Sequence, residues 1–565
     1  MEWFQVLFFI LAGILVAYLF IDTFTALLVY LALKKKGAQA QLAYEKMKKD
    51  LDIETASTVE FVVYPDRFTQ MLVAAFRHNG FTRYRIVLLL LRLKAIFRLY
   101  KKEKILQTGA SAASLTICAD LACQIGDLRN GQASPSAPTI KTDVAFAGLQ
   151  VVRLYMTGYS KTQPFAKSRF DSALRVDNAL NGSFYKYQCQ DGKYFSAHVY
   201  YESQKAKFMK ALNLPAKPEE FILDSLKKDR KTVAKFVKAY KAEDLEKLAF
   251  DCGACGCVLR SREEWEKTDF GAAVCSMPLI RSVRLGDSPK KDYGRCRGAL
   301  PLAGIKVLDL THIIAGPACS RILAEYGADV LLVRRGTFEN QEQAMLELDG
   351  WAGKNSIQLD FENPEQLKTC KELIKKADVV IYSYQNGALD RFGLSREEIH
   401  LLNPNLIYGS LMCFSDTIWE DKPGWAPLAE DATGLSIRNG SRAKPKNLNG
   451  VPLDYIPGFI LAIGVLNAIK MNLLNGGSYN VTGSLTRTAE WLHEVSDLDE
   501  KRIVLPTSTK IGRGNAPMWK KAVQEVQSTA VGTIFFPAPA TYVEGLPSQV
   551  DVMRFTDGNL DWKGY

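Results

Sequence analysis

From Gly298 onward, short apolar runs alternate with longer stretches whose apolar residues recur at helical spacing. IKVLDL (Ile305–Leu310), DVLLVRR, SIQLDF, DVVIYSY and LIYGSLMCF predict buried strands. AGPACSRILAEYGA predicts a loop and a helix, and NPEQLKTCKELIKKA and LSREEIHLLNP predict helices. Asn363 with Pro364 behind it, and Ser395, are start signals. Strand–helix alternation of this kind predicts a parallel, doubly wound, Rossmann-like sheet domain over 297–499. Ligands of such sheets bind beyond the carboxyl ends of the strands. That rule singles out His312–Pro317, Arg334–Gly336, Tyr384–Gly387 and Cys413–Asp416.

The rest of the chain has different patterns. Trp3–Leu33 is apolar apart from Gln5, Asp22 and a few Thr and Tyr, and Lys34–Lys36 follow it. Length and flanking charge predict a transmembrane anchor over 1–33 with the remainder facing the cytosol. Residues 34–104 are basic and amphipathic; Arg85–Lys104 suits either a membrane surface or a core. Residues 105–169 predict a helix–strand segment completing a large domain. Residues 170–296 predict a smaller α+β domain, with a hairpin turning at Gln190–Asp191–Gly192. Residues 500–565 read as a surface-running or partly disordered tail.

One similarity is internal. Thr108–Gln132 with TIKTDVAFAGLQVVRL, and DYIPGFILAIGVLNAI with the residues that follow it, both read as long apolar helix, turn, strand and helix. If Gly109 matches Gly458, Asp454 falls opposite Ile105. A carboxylate at the start of an apolar helix is stabilised as an anion, and partial burial raises its nucleophilicity. On local grounds Asp454 is either a helix cap or a nucleophile.

Composition narrows the classes. The 565 residues carry a net charge of +11, which suits phosphorylated ligands or an anionic surface. Eleven Cys without paired spacing fit reduced thiols. There is no G-x-G-x-x-G after the first strand, no G-x-x-x-x-G-K-[ST] and no G-x-S-x-G. CGACGC (Cys252, Cys255, Cys257) lacks a fourth ligand nearby, so no metal site is assigned. No nucleic-acid module accompanies the basic segments.

The ordered text PLAGIKVLDLTHIIAGPACSRILAEYGADVLLV, GKNSIQLDFENPE, ADVVIYSYQNGALDRFGLSREEIHLLNPNLIYGSL and LDYIPGFILAIGVLNAI resembles the family III CoA-transferases, the formyl-CoA transferase and CaiB/BaiF group. Residues 107–290, with LRNGQ and R-S-x-E-E-W, resemble parts that in ordinary members follow the catalytic Asp. The resemblance implies two halves in exchanged order. It also implies transfer of CoA from an acyl-CoA to a small carboxylic acid through a covalent intermediate on Asp454. CoA and acyl-CoA would enter as substrates, with no permanently bound cofactor. Arg391, Arg334 and Arg335 match CoA-contacting positions, and the resemblance implies that Ile314 and Ala315 are CoA-binding as well. A homodimer is implied by ordinary members. Ile314 stands where formyl-CoA transferase has Gln, and MCFSDT replaces a Gly-rich stretch. Trp425 stands near the racemase branch's His, which leaves His312 as the alternative base for an α-methylacyl-CoA racemase. A non-catalytic CoA-binding scaffold is the remaining alternative.

Overall fold

A computed structural model describes residues 36–63, 104–132, 136–155, 158–159, 184–198, 202–213, 233–296, 298–334, 349–415, 419–501, 510–511, 523–528, 532–547 and 556–557. The expected anchor, and all of Arg85–Lys104 but Lys104, lie outside these residues.

Residues 36–51 form helix α1, followed by strand β1 (Thr58–Val63). Helix α2 (Gln107–Arg129), β2 (Thr139–Asp143) and α3 (Val144–Gln150) come next. The smaller unit contributes β3 (Phe184–Gln188), β4 (Tyr194–His198) and β5 (Gly256–Leu259), a mixed-length antiparallel sheet in that order. Strand β6 (Arg281–Arg284) leads back to the large unit. Then come β7 (Lys306–Leu310), α4 (Ala315–Glu325), β8 (Asp329–Arg334), β9 (Asn355–Gln358), β10 (Val379–Tyr382) and β11 (Ile407–Met412). Helix α5 (Ala426–Ala432), helix α6 (Pro452–Asn475), β12 (Tyr479–Ser484) and α7 (Leu485–Lys501) follow. Strands β13 (Thr541–Val543) and β14 (Thr556–Asp557) close the chain.

The main sheet has eight strands in the order β14-β9-β8-β7-β10-β11-β12-β6. All neighbours are parallel except β12 with β6. The chain winds from β7 through β8 to β9, then returns to the other side for β10, β11 and β12. The reversal opens a crevice between the carboxyl ends of β7 and β10, where doubly wound sheets bind ligands.

Helix α6 lies against this sheet and against α2. Its Ile456, Phe459, Ile460, Leu461, Ile463 and Leu466 are buried, each contributing about 1.5–3 kcal/mol. It is long and apolar enough to cross a membrane by length and composition, but most of it is enclosed by the fold. A Cβ on Gly458 would stand 2.4 Å from the Ala315 carbonyl oxygen, so only glycine lets α6 approach the start of α4.

The structure refines three readings. The segment over 105–169 joins the large core through α2, but β2 does not enter the main sheet. It lies in a separate four-stranded sheet between β1 and β13, with Lys510–Ile511 on the far side of β1. The residues after 500 are not only surface-running: Ala538, Ala540, Thr541 and Val543 are buried and β13 pairs with β2. Helix α1, from the basic stretch, buries Ala40, Ala43, Tyr44 and Met47 in the core. Partners far away in sequence complete these surfaces, and local periodicity carries no record of them.

Candidate active site

Asp454 stands in the first turn of α6, two residues after Pro452. The N-cap is Val451, and it makes no side-chain cap bond. Asp454 is therefore not the helix cap that its local sequence also allowed. Among the described residues, nothing donates a hydrogen bond to its carboxylate and no cation pairs with it. It retains a partly accessible edge within an otherwise enclosing wall. Burial pushes the carboxyl up to about 8, and the Glu430 carboxylate adds to the rise. Gly458, one turn on and on the same face, marks where that face meets Ala315.

The loop from β7 to α4 forms the opposite wall. Ile313 holds a φ of +67°, in the left-handed region that β-branched residues avoid. Ile314 is the N-cap of α4 and has no side-chain cap bond. The amides opening α4 are thus available to an oxyanion or phosphate. Asp309 steadies the loop from beneath by accepting the Thr311 amide (3.0 Å) and pairing with Lys354 (2.7 Å). Lys354 also donates to the Pro317 carbonyl (3.0 Å) and Ser320 Oγ (2.7 Å).

Aromatic rings line the crevice. His312, beyond β7, stacks on Tyr384, beyond β10, with ring centres 4.5 Å apart. Trp425, the N-cap of α5, meets His312 edge-on at 6.2 Å and stacks on His198 at 5.4 Å. Cys413, beyond β11, donates to the Trp425 carbonyl (3.7 Å), and the nearby Asp454 helps burial push its thiol upward.

Tyr384 also borders a cleft of about 190 Å³ beyond the ends of β7, β8 and β9. Arg334 and Arg391 both line it. The Arg334 guanidinium lies 4.8 Å from the Trp351 ring centre, and Arg391 pairs with Glu362 at 2.6 Å on the open rim. The structure sets the first turn of α6, with Asp454, against the loop that carries Ile314 and Ala315, and places Arg334 and Arg391 in the adjoining cleft. Arg335 lies outside the described residues.

A buried relay fixes the first turn of α6. The Tyr455 hydroxyl donates to Asp349 (2.9 Å), whose other oxygen pairs with Arg153. Burial alone would raise Asp349, but Arg153 and Arg321 hold it below the usual carboxylate range. Arg153 donates onward to the Pro537 carbonyl (2.7 Å). Of the CGACGC thiols, Cys255 and Cys257 are buried and Cys252 is half-buried. Burial pushes Cys255 up to about 12, so it is a packed thiol and not a ready ligand.

Residues 302–517 match the model of CoA-transferase family III. That segment belongs to CoA-transferase family III. An "Acyl-CoA transferase" of Gibberella moniliformis is 32% identical over 44% of this chain and 46% of its own length. A "Formyl-CoA:oxalate CoA-transferase" of Rhodopseudomonas palustris is 31% identical over 36% of this chain and 50% of its own. The chain spans about half the length of these curated relatives. A CAIB/BAIF family protein from Brucella suis is 24% identical, covering 41% of this chain and 65% of that one, with a TM-score of 0.32. The family III segment contains Asp454, Ile314, Arg334 and Arg391.

The sequence reading missed Glu430, Asn447 and Lys186. The only signal was a Glu–Asp pair inside the otherwise apolar APLAEDATG, and both carboxylates are buried.

Proposed function

We propose that this protein is a CoA-transferase that moves CoA from an acyl-CoA thioester to a carboxylic acid, with Asp454 as covalent nucleophile. The supporting observation is a carboxylate in the first turn of α6 that accepts no hydrogen bond among the described residues, one helical turn from where Gly458 meets the start of α4. The Asp454 carboxylate attacks the donor carbonyl, forming a mixed anhydride and releasing the CoA thiolate. The thiolate then attacks the aspartyl carbonyl, giving an aspartyl-CoA thioester and the free donor acid. The acceptor carboxylate repeats these two steps in reverse and leaves with CoA, restoring Asp454. The amides at Ile314 and Ala315 would stabilise the tetrahedral oxyanions. Arg334 and Arg391 would hold CoA phosphates in the 190 Å³ cleft. The apolar run Trp3–Leu33 supports placing this chemistry at a cytosolic membrane face.

Purified protein mixed with an isotopically labelled carboxylic acid and a panel of acyl-CoA donors should move CoA to the labelled acid. Asp454→Asn should abolish the exchange while CoA still binds. Tight CoA binding without exchange in the unaltered protein would identify a scaffold instead.

A further inference from the structure

The nucleophile does not sit alone on its side of the crevice. Helix α5 carries Glu430, which is 4% exposed. Its Oε2 accepts the Leu448 amide at 2.8 Å and the Asn447 side-chain amide at 2.9 Å. Both donors belong to the segment that runs directly into Val451 and the first turn of α6. Its far end is tied by the Val451 amide to the Val151 carbonyl (3.0 Å). Among the described residues Oε1 accepts no hydrogen bond. Asn447 reaches the other way as well: its Oδ1 accepts from Lys186 Nζ on β3 at 2.7 Å. Lys186 in turn pairs with Asp431, next to Glu430, at 2.8 Å. Asp431 also accepts from Ser196 on β4 (2.6 Å), and its carbonyl accepts the Arg260 amide (3.1 Å).

We propose that Glu430 is a positioning residue for Asp454: it anchors the segment that delivers the nucleophile and places a second carboxylate beside it. Lys186 and Asn447 connect this anchor to the smaller unit. Two carboxylates sharing a poorly solvated site cannot both ionise freely. The donors on Oε2 favour the Glu430 anion, so its charge adds to the burial that holds the proton on Asp454. Burial pushes Glu430 up to about 7, against the Leu448 amide, Asn447 and Lys186. The order agrees with Asp454 at about 8. The other titratable groups packed around α5 are Asp431, Lys186, Cys413, Cys257 on β5, and His493 on α7, which contacts the Thr433 carbonyl. When a substrate carboxylate or CoA phosphate enters, the same carboxylate pair limits how much negative charge the crevice accepts.

This proposal rests on Asp454 as nucleophile, but its test does not need turnover. Carbodiimide labels a protonated carboxyl, and peptide mass spectrometry reads the label at Asp454. The full-length protein and Glu430→Gln would be labelled between about pH 5 and 9. The glutamine amide still accepts from Asn447 and Leu448 but carries no charge. In Glu430→Gln, the pH at which Asp454 labelling falls by half should move down by about one unit. At one pH on that slope, labelling should drop about tenfold. Lys186→Met removes a cation that favours the Glu430 anion, so Glu430 carries less charge and the midpoint should move the same way by a smaller amount. Superimposable labelling curves for Glu430→Gln and the unaltered protein, both folded by circular dichroism, would overturn the proposal. Absence of CoA exchange in the unaltered protein would instead defeat the transferase reading, and the labelling curves would still decide the role of Glu430.

Discussion

The units α2–β2–α3 and α6–β12–α7 share one plan, and their helices α2 and α6 pack together in the core. Cys118 of α2 donates to the Phe459 carbonyl of α6 at 3.6 Å. In both, the residue joining strand to second helix bonds the helix start. Asp143 accepts the amides of Ala145 and Phe146, and Ser484 accepts that of Arg487. They differ at the first helix. Helix α6 begins a turn and more before Gly458, and that extra turn carries Asp454 into the crevice. Helix α2 begins only two residues before Gly109. Ile105 and Leu106 ahead of it are buried, and the Leu106 amide is held by Ser496 Oγ at 3.0 Å. The same plan thus serves as scaffold where its leading end is sealed and as the proposed site where that end is extended and left open.

The largest break of the comparison comes from exchanging the leading residues. Asp454→Asn should lower CoA exchange by at least about a thousandfold, as loss of a covalent nucleophile does. Ile105→Asp in the same protein should restore nothing. It should cost about 3 kcal/mol in urea unfolding, because it buries a charge without a partner.

A second prediction concerns pH. If Asp454 must be ionised to attack, kcat/KM should fall about tenfold per unit below its value of about 8. Stability moves oppositely. The carboxyl holds its proton more tightly in the folded state than when unfolded. Its contribution is therefore full in acid and is lost as pH rises toward and through about 8. Asp454→Asn should remove that loss, leaving Tm above pH 8 higher by about 2 °C in scanning calorimetry.

The paired glycines separate packing from chemistry. A Cβ at Gly458 meets backbone 2.4 Å away, while one at Gly109 meets the Gln39 carbonyl at 2.9 Å. Gly458→Ala should cost about 2–3 kcal/mol and lower kcat about tenfold by shifting the wall that carries Asp454. Gly109→Ala should cost about 1 kcal/mol and leave kcat within about twofold.

The smallest effect is at the shared cap. Asp143→Ala should destabilise by about 1 kcal/mol, with CoA exchange per folded molecule unchanged.

The alternation of strands and helices was legible because buried strands and amphipathic helices each repeat at a short period. So were the Asn363 and Ser395 starts, which the structure shows as N-caps with hydrogen bonds to Glu365 and Gln366, and to Glu398. His312, Tyr384 and Cys413 were found by counting from strand ends, since the fold rule converts a strand end into a site position. The β1–β2–β13 sheet was not legible, because its strands come from distant parts of the chain and pair through backbone atoms that every residue has. Glu430 and Lys186 were hidden for a related reason. Their meaning depends on Asn447 standing between them, and nothing in APLAEDATG or FYKYQ records that juxtaposition. The nucleophilic role proposed for Asp454 came only through resemblance; its local pattern favoured a helix cap.

The central claim is the covalent role of Asp454, and trapping tests it most directly. The protein would be incubated with an acyl-CoA and no acceptor, treated with hydroxylamine, and digested for peptide mass spectrometry. An aspartyl hydroxamate at Asp454, formed only when acyl-CoA is present and absent from Asp454→Asn, is the predicted result. Full CoA exchange with no modification at Asp454, or with the hydroxamate on another carboxylate, would contradict it.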